Sequence, residues 1–349
     1  MTSMRAARLY AAGQPLIIEE IPVPIPQPDE VLVQVEACGL CGTDIHLAVD
    51  GDIPVQRTPI TLGHEAAGIV VGIGGGVTQF SVGDRVALFP SATCGRCRFC
   101  LLGRESLCEK ARVYGMACDG SLAQFVVAPA WSLIPVPAGF PLELAAIITD
   151  GVATPFHALR SRGQLQAGET VAVVGCGGLG SHAILLARLM GAAHIVAVDS
   201  QEHARQRAFR LGADTVIDPA TEPMTGKAVR RELGRGVDLA LEFVGRPETV
   251  DTALATLDTG GRAVIVGVGP GRPRLPPMLN FVGREHSLLG SFGMDKRDIA
   301  DLIQLVAGGR LSLESSISGR YALAQVNEAL ARLAGGSTDV VRLVVLPGE

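Results

Sequence analysis

Apolar positions along the chain change their rhythm near its middle. Up to about residue 150 they come in brief, glycine-flanked runs: Val31–Val35 alternates, and Ala66–Val71 and Asp84–Leu88 are short and apolar. This pattern predicts an irregular, mostly β domain. From Thr170 onward, runs of buried-strand type alternate with stretches of helical period. Thr170–Gly175, His194–Asp199, Thr215–Asp218, Asp238–Gly245 and Gly261–Gly267 read as strands. Ser181–Met190, Glu202–Leu211 and Pro247–Leu257 read as helices between them. Strands separated by helices predict a parallel sheet with right-handed crossovers. A last helix, Leu323–Leu333, and a last strand, Val340–Leu346, follow, and the strand is free to return to the first domain.

One turn in the second pattern carries chemistry. Gly175-Cys176-Gly177-Gly178-Leu179-Gly180 fits G-x-G-x-x-G, follows the strand Val171–Val174 and opens a helix. In a chain with 43 glycines the motif alone is weak. Its context strengthens it, because the next strand ends on Asp199, 19 residues after Gly180, close to the spacing of about 20 in dinucleotide-binding units. Gly175 permits the tight turn, Gly177 lets backbone N–H groups approach a pyrophosphate, and Gly180 allows close helix–strand packing. The helix N-terminus then faces the phosphates. Asp199 is placed to accept from the adenosine ribose hydroxyls, which favours NAD over NADP. Arg205 and Arg207 lie close enough in sequence to blunt that preference. The bland alternative is a glycine-rich turn that binds nothing.

Cysteine usage adds a second chemistry. Cys94, Cys97, Cys100 and Cys108 fall within one short stretch. Four thiolates so close suit a closed, structural tetrahedral zinc site. An iron–sulfur run of the bacterial type would end C-x3-C-P; here the last gap is seven residues and Glu109 follows. Cys41 and His64 are scattered, and taken singly each reads as a buried thiol or a hydrogen-bonded core histidine.

Length and composition bound the rest. The chain has 349 residues, enough for two domains, with 48% hydrophobic and 19% charged residues. The net charge of −5 argues against a nucleic-acid surface. No apolar run reaches the length that spans a bilayer, and Met1–Glu20 does not read as a signal peptide, so the expectation is a cytoplasmic protein with no membrane partner.

Together, Cys41-Gly-Thr-Asp-Ile-His46, Gly63-His-Glu-Ala-Ala-Gly68, the four-cysteine loop and the nucleotide turn resemble the zinc-containing medium-chain alcohol dehydrogenases, in order and over nearly the whole chain. The resemblance implies an α/β two-domain fold. A β-rich GroES-like catalytic domain would be built from residues 1–150 and 293–349. A Rossmann domain with a doubly wound parallel sheet would span 151–292 and bind NAD. It implies two zinc ions per subunit, one structural and one catalytic, the latter in the cleft between the domains. Cys41 and His64 match catalytic ligands, Glu65 a carboxylate beside the metal, and Asp44 the group that orients His64. Thr43 and His46 match a proton relay, Arg342 a contact to the pyrophosphate, and Thr154, Val266 and Phe292 the nicotinamide lining. At the place of a second cysteine ligand this chain has Asp150. Its carboxylate keeps the ligand set neutral against a +2 ion, and some bacterial members, secondary-alcohol enzymes among them, share that choice. Asp150 as a helix cap, with Glu65 bound directly, is the competing reading.

The implied reaction is hydride transfer between NAD and a small alcohol or its carbonyl product, secondary alcohols being favoured. Polyol, amino-alcohol or hydroxyacyl-thioester dehydrogenases share the metal chemistry. A zinc-free quinone or enoyl reductase would lack the cysteine and histidine set. A non-catalytic, dinucleotide-sensing zinc protein would have no use for Thr43 and His46. A homodimer or homotetramer is implied as well. The single tryptophan, Trp131, has no place in this scheme.

Overall fold

The computed structural model describes residues 2–335 and 340–349. The chain forms two compact units: Met1–Ala153 with Asp295–Glu349, and Thr154–Met294.

The first unit is built on a seven-stranded sheet. Its order is Leu133–Pro135, Arg85–Leu88, Glu65–Ile73, Glu30–Leu40, Arg342–Leu346 and Ile317–Ala322, with Phe125–Pro129 also pairing to Glu30–Leu40. The predicted alternation at Val31–Val35 is real: Val31, Val33 and Val35 are buried and face Val70, Val86 and Val345 in one core. A strand with one face on a core and one partly wet shows this two-residue period. The last strand does return to the first domain, pairing antiparallel with Glu30–Leu40 through Leu343↔Leu40 and Val345↔Cys38. This pairing brings Arg342 beside the end of the strand that leads into Cys41. A second sheet packs Ser3–Leu9 between Ile17–Pro22 and Ile60–Thr61.

The second unit holds a six-stranded, all-parallel sheet. Its order is Thr215–Ile217, His194–Val198, Thr170–Val174, Val237–Glu242, Leu257–Ile265, Ser287–Gly290. This is the doubly wound order whose switch point lies beside its first strand. All five residues of Thr170–Val174 are buried, as expected for a strand covered on both faces. The strand expected to run to Gly245 stops at Glu242. There the Glu242 carboxylate accepts from the N–H groups of Val244 and Gly245 and from the Thr249 hydroxyl, turning the chain into the next helix.

Residues 225–233 and 296–307 carry no element in the sequence pattern above, yet both are helical. The second, Lys296–Ala307, buries Ile299, Leu302 and Ile303 and is opened by Asp295, whose N–H is capped by Asp298.

Candidate active site

Three segments of the first unit bring four side chains to one point. Cys41 caps the short helix Gly42–Ile45, and its N–H donates to Asp44 Oδ2 at 2.9 Å. His64 follows Gly63, which sits at φ +90°, a conformation only glycine adopts freely. Glu65 starts the strand Glu65–Ile73. Asp150 lies in a π-helical turn, Ile148–Val152; such turns concentrate at functional sites because they re-aim a side chain.

Asp150 Oδ2 stands 3.3 Å from Cys41 Sγ and 3.5 Å from His64 Nε2. One potential ligand atom from each of Cys41, His64, Glu65 and Asp150 lies within 4.8 Å of the others. On its other side the His64 ring faces Asp44, with Nδ1 3.9 Å from Oδ1. Both of those atoms are buried without a hydrogen bond, as are both Glu65 oxygens.

This is a costly arrangement unless something cationic compensates it. Burial pushes the Cys41 thiol up, and the Asp150 carboxylate adds to the shift. Burial raises the Glu65 carboxyl to about 8, with the Arg342 charge opposing. Burial opposes the His64 charge, but Asp150 and Cys41 outweigh it and its pKa is raised. Acids crowded this way hold protons unless a divalent cation takes their place. A thiolate, an imidazole and one or two carboxylates form a set that zinc accepts, so the residues fit the ion.

The four-cysteine loop is a second group of side chains that could hold a metal ion. Cys94 Sγ lies 3.9 Å from Cys100 Sγ, and Cys97 Sγ 3.6 Å from Cys100 Sγ. Zinc–sulfur bonds of about 2.3 Å in a tetrahedron set sulfur–sulfur edges near ~3.8 Å. Backbone N–H groups already aim at these sulfurs: Cys97 N–H at Cys94 Sγ and Cys94 N–H at Cys108 Sγ, both 3.3 Å. Hydrogen bonds from the Cys100 and Glu109 backbone hold the Cys97 thiol down at about 6, the state in which sulfur binds metal. All eight cysteines are free thiols. Trp131 packs over this loop: its Nε1 donates to Thr93 O at 2.9 Å, and a Cβ on Gly95 would stand 3.0 Å from its ring.

In the second unit the nucleotide turn has the expected shape. Gly175 adopts φ +88°, Gly177 precedes the helix Gly178–Leu189, and a Cβ on Gly180 would collide with the Gly175 carbonyl oxygen. Asp199 Oδ2 accepts the Cys176 N–H at 2.7 Å and Oδ1 accepts the Gln201 N–H at 2.8 Å, so the carboxylate is fixed beside the turn. Thr154 and Val266 are buried, whereas Phe292 is 63% exposed.

Residues 27–138 match the family model of the alcohol dehydrogenase GroES-like domain, and residues 178–308 that of the zinc-binding dehydrogenases. The chain is 32% identical to a sorbitol dehydrogenase of Bacillus subtilis, over 99% of this chain and 98% of that one. It is 32% identical to an NAD-dependent alcohol dehydrogenase of Sulfurisphaera tokodaii, over 95% and 96%. An NADP-bound structure from Sinorhizobium meliloti superposes with a TM-score of 0.89 at 33% identity, covering 99% and 100%. The chain belongs to the zinc-containing medium-chain alcohol dehydrogenases.

Within this family member, several placements go beyond the motifs. Arg342, expected at the cofactor, is only 4% exposed; its Nη1 lies 3.1 Å from Glu65 Oε1 and donates to Leu40 O at 3.3 Å. Burial works against the Arg342 charge, yet Glu65, Cys41 and Asp150 hold its pKa above the usual range. Two glycines make room for this pair. A Cβ on Gly39 would strike the Glu65 carboxylate, and one on Gly151 would strike the Arg342 guanidinium. Gly151 follows Asp150 directly, so its small size was the one available signal. Cys41 Sγ reaches Thr43 Oγ1 at 3.7 Å. His46 is half-exposed, with Nδ1 3.0 Å from Asp52 Oδ1 and 3.6 Å from Asp50 Oδ2. Asp52 carries no motif, and only the fold reveals it as the partner of His46.

Proposed function

We propose that this chain oxidises small alcohols, or reduces the matching carbonyl compounds, with NAD, and that Cys41, His64 and Asp150 hold its catalytic zinc. The observation that carries this reading is the convergence of those three side chains, with Glu65 beside them, from segments as much as 109 residues apart. When bound, zinc supplies Lewis acidity toward a substrate hydroxyl, and NAD accepts the hydride.

The chain's own residues do the rest. Asp44 orients the His64 ring. The Thr43 hydroxyl takes the proton leaving the alcohol, and His46 delivers it to solvent, steadied by Asp52. Glu65 stands beside the metal for ligand exchange, its charge balanced by Arg342. Asp199 accepts from the adenosine ribose, the turn Gly175–Gly180 cradles the pyrophosphate, and Thr154, Val266 and Phe292 complete the cofactor contacts, while Arg342, expected there, stays committed to Glu65 and the Leu40 carbonyl. Cys94, Cys97, Cys100 and Cys108 hold the structural zinc.

Secondary alcohols are the proposed substrate class, on the strength of the aspartate at position 150. The sorbitol dehydrogenase likeness over 99% of the chain supports polyols as the second reading. A cofactor-reduction screen over primary, secondary, aromatic and polyol alcohols decides between them. Fastest turnover of simple secondary alcohols is expected, polyols outrunning them would transfer the assignment, and no reduction with any alcohol would overturn it.

A cytoplasmic, homo-oligomeric enzyme completes the proposal. Among the described residues no helix is long and apolar enough to cross a membrane. Met278, Leu279 and Val282 project from the helix Met278–Gly283 at 64–84% exposure, next in sequence to the edge strand Ser287–Gly290. An open sheet edge with exposed apolar side chains close by in the chain suits a second copy.

A further inference from the structure

The two arginines that follow Asp199 are disposed in opposite ways. Arg207 is 8% exposed and turned inward, its Nε donating to Ser181 Oγ at 3.0 Å and its Nη2 to Cys176 O at 2.9 Å. It braces the glycine-rich turn from within the protein. Arg205 stays beside the Asp199 peptide, with Nη1 donating to the Asp199 carbonyl oxygen at 2.8 Å. Its Nη2 is shared between Glu202 Oε2 at 2.5 Å and Asp218 Oδ2 at 3.1 Å.

These two carboxylates are not equal. The Glu202 side chain is 68% exposed, while Asp218 is 22% and Arg205 itself 11% exposed. An exposed partner is largely screened by water; a mostly buried pair is not. Asp218 is also fixed from its own side, since its Oδ1 accepts the Ala220 N–H at 2.9 Å. It comes from the end of the neighbouring strand, Thr215–Ile217, so the pair is a packed feature of the sheet edge and not a helix-surface contact.

We infer that Asp218 is a second determinant of cofactor choice, acting by keeping the Arg205 guanidinium committed to protein carboxylates and away from a 2′-phosphate. The inference rests on the reading that Asp199 faces the adenosine ribose. Arginine is the side chain best shaped to take a phosphate through two parallel N–H bonds, and Arg205 is the guanidinium hydrogen-bonded to the Asp199 peptide. With Asp199 removed, Asp218 and Glu202 still outnumber Arg205, so a phosphate would enter a locally negative site. With Asp218 removed as well, Arg205 keeps the backbone carbonyl of residue 199 on Nη1 and, on Nη2, only the exposed Glu202 carboxylate, so its Nη2 edge is released toward a phosphate. Asp218 is thus a positioning residue: it touches no cofactor atom and works through Arg205.

The test is cofactor binding to the metal-loaded protein, followed by nicotinamide fluorescence with NADH and NADPH and by displacement with 2′,5′-ADP. Asp218→Asn is the suitable change because its amide oxygen preserves the Ala220 contact; Asp218→Ser serves if that variant does not fold. Asp199→Gly alone is expected to narrow the NADH preference. Adding Asp218→Asn should tighten NADPH and 2′,5′-ADP by a further tenfold or more, and adding Arg205→Gln to that pair should erase the gain. NADH affinity of Asp218→Asn alone should stay within a fewfold of the parent. A double variant no better than Asp199→Gly, or a gain that survives Arg205→Gln, would overturn the inference while leaving the ribose reading intact. An Asp199→Gly variant with an unchanged NADH-to-NADPH ratio would instead remove the ribose reading itself.

Discussion

Asp150 Oδ2 and Cys41 Sγ lie 3.3 Å apart although 109 residues separate them, and Glu65 completes the same buried cluster. Two acids this close, both shielded from water, repel unless a proton or a cation sits between them. That contact makes Asp150 the strongest candidate for the third protein ligand. Asp150→Asn should cut both catalytic zinc content and turnover by at least a hundredfold, because a neutral amide replaces a charged ligand. Asp150→Cys should keep the metal and part of the activity. Metal analysis of the two variants checks the pair. Full zinc retention in Asp150→Asn, with Glu65→Gln losing the ion instead, would assign the position to Glu65.

The structural site should be separable from the catalytic one. Cys97→Ser is expected to remove about one zinc of two and to lower stability by several kcal/mol, since a closed thiolate site contributes folding energy directly. Trp131 supplies the readout. It is the chain's single tryptophan and its ring lies over Gly95. Chelation of the structural ion should therefore shift its emission, whereas loss of the catalytic ion in a His64→Ala variant should leave it in place. An emission spectrum indifferent to chelation would show that the loop keeps its shape without metal.

The sheets and the nucleotide turn were legible because each depends on local pattern. The run Thr170–Val174 had to be a buried strand, and Gly175, Gly177 and Gly180 had to follow it. The catalytic cluster was legible only through the resemblance, since nothing local links Cys41, His64 and Asp150. Its supports were not legible at all. Gly39, Gly151 and Arg342 meet through a strand that returns from the far end of the chain, and Asp52 meets His46 through a turn with no motif. The helix Thr225–Leu233 was hidden for another reason. The residues it buries, Thr225, Gly226, Ala228 and Val229, are small, although with Leu233 they keep one face of the helix on the core.

Acid stability should depend on Asp238. Its Oδ2 accepts from the Thr170 N–H and hydroxyl, each at 2.8 Å, and both its oxygens accept from Arg235. Burial works against the charge, but Arg235 and Thr170 outweigh it and hold the carboxyl below its usual range. A depressed folded-state pKa gives stability that is present above the unfolded value, near ~3.9, and is lost as pH falls through the folded value. Asp238→Asn should therefore cost roughly 1–3 kcal/mol at pH 7 and leave a smaller stability difference from the parent below pH 4. Urea unfolding at pH 7 and pH 3.5 measures both. A variant whose deficit is the same at the two pH values would mean that the carboxylate charge is not what matters.

Assembly gives the last expectation. Leu279 is 84% exposed and Met278 70%, on a helix that buries none of its own residues. The strand Ser287–Gly290 ends the six-stranded sheet, with no strand on its other side among the described residues. Exposed apolar side chains close by in sequence would be an aggregation hazard in a monomer. Pairing two such edges antiparallel about a twofold axis satisfies the backbone of both and buries both helices, because a twofold interface uses the same patch twice. The protein should therefore sediment as a dimer or a multiple of one. Leu279→Asp would place two like charges in that contact and should shift the population toward monomer, with zinc content unchanged. A parent protein that sediments as a monomer at micromolar concentration, or a Leu279→Asp variant with unaltered mass, would show that this face is not where the copies meet.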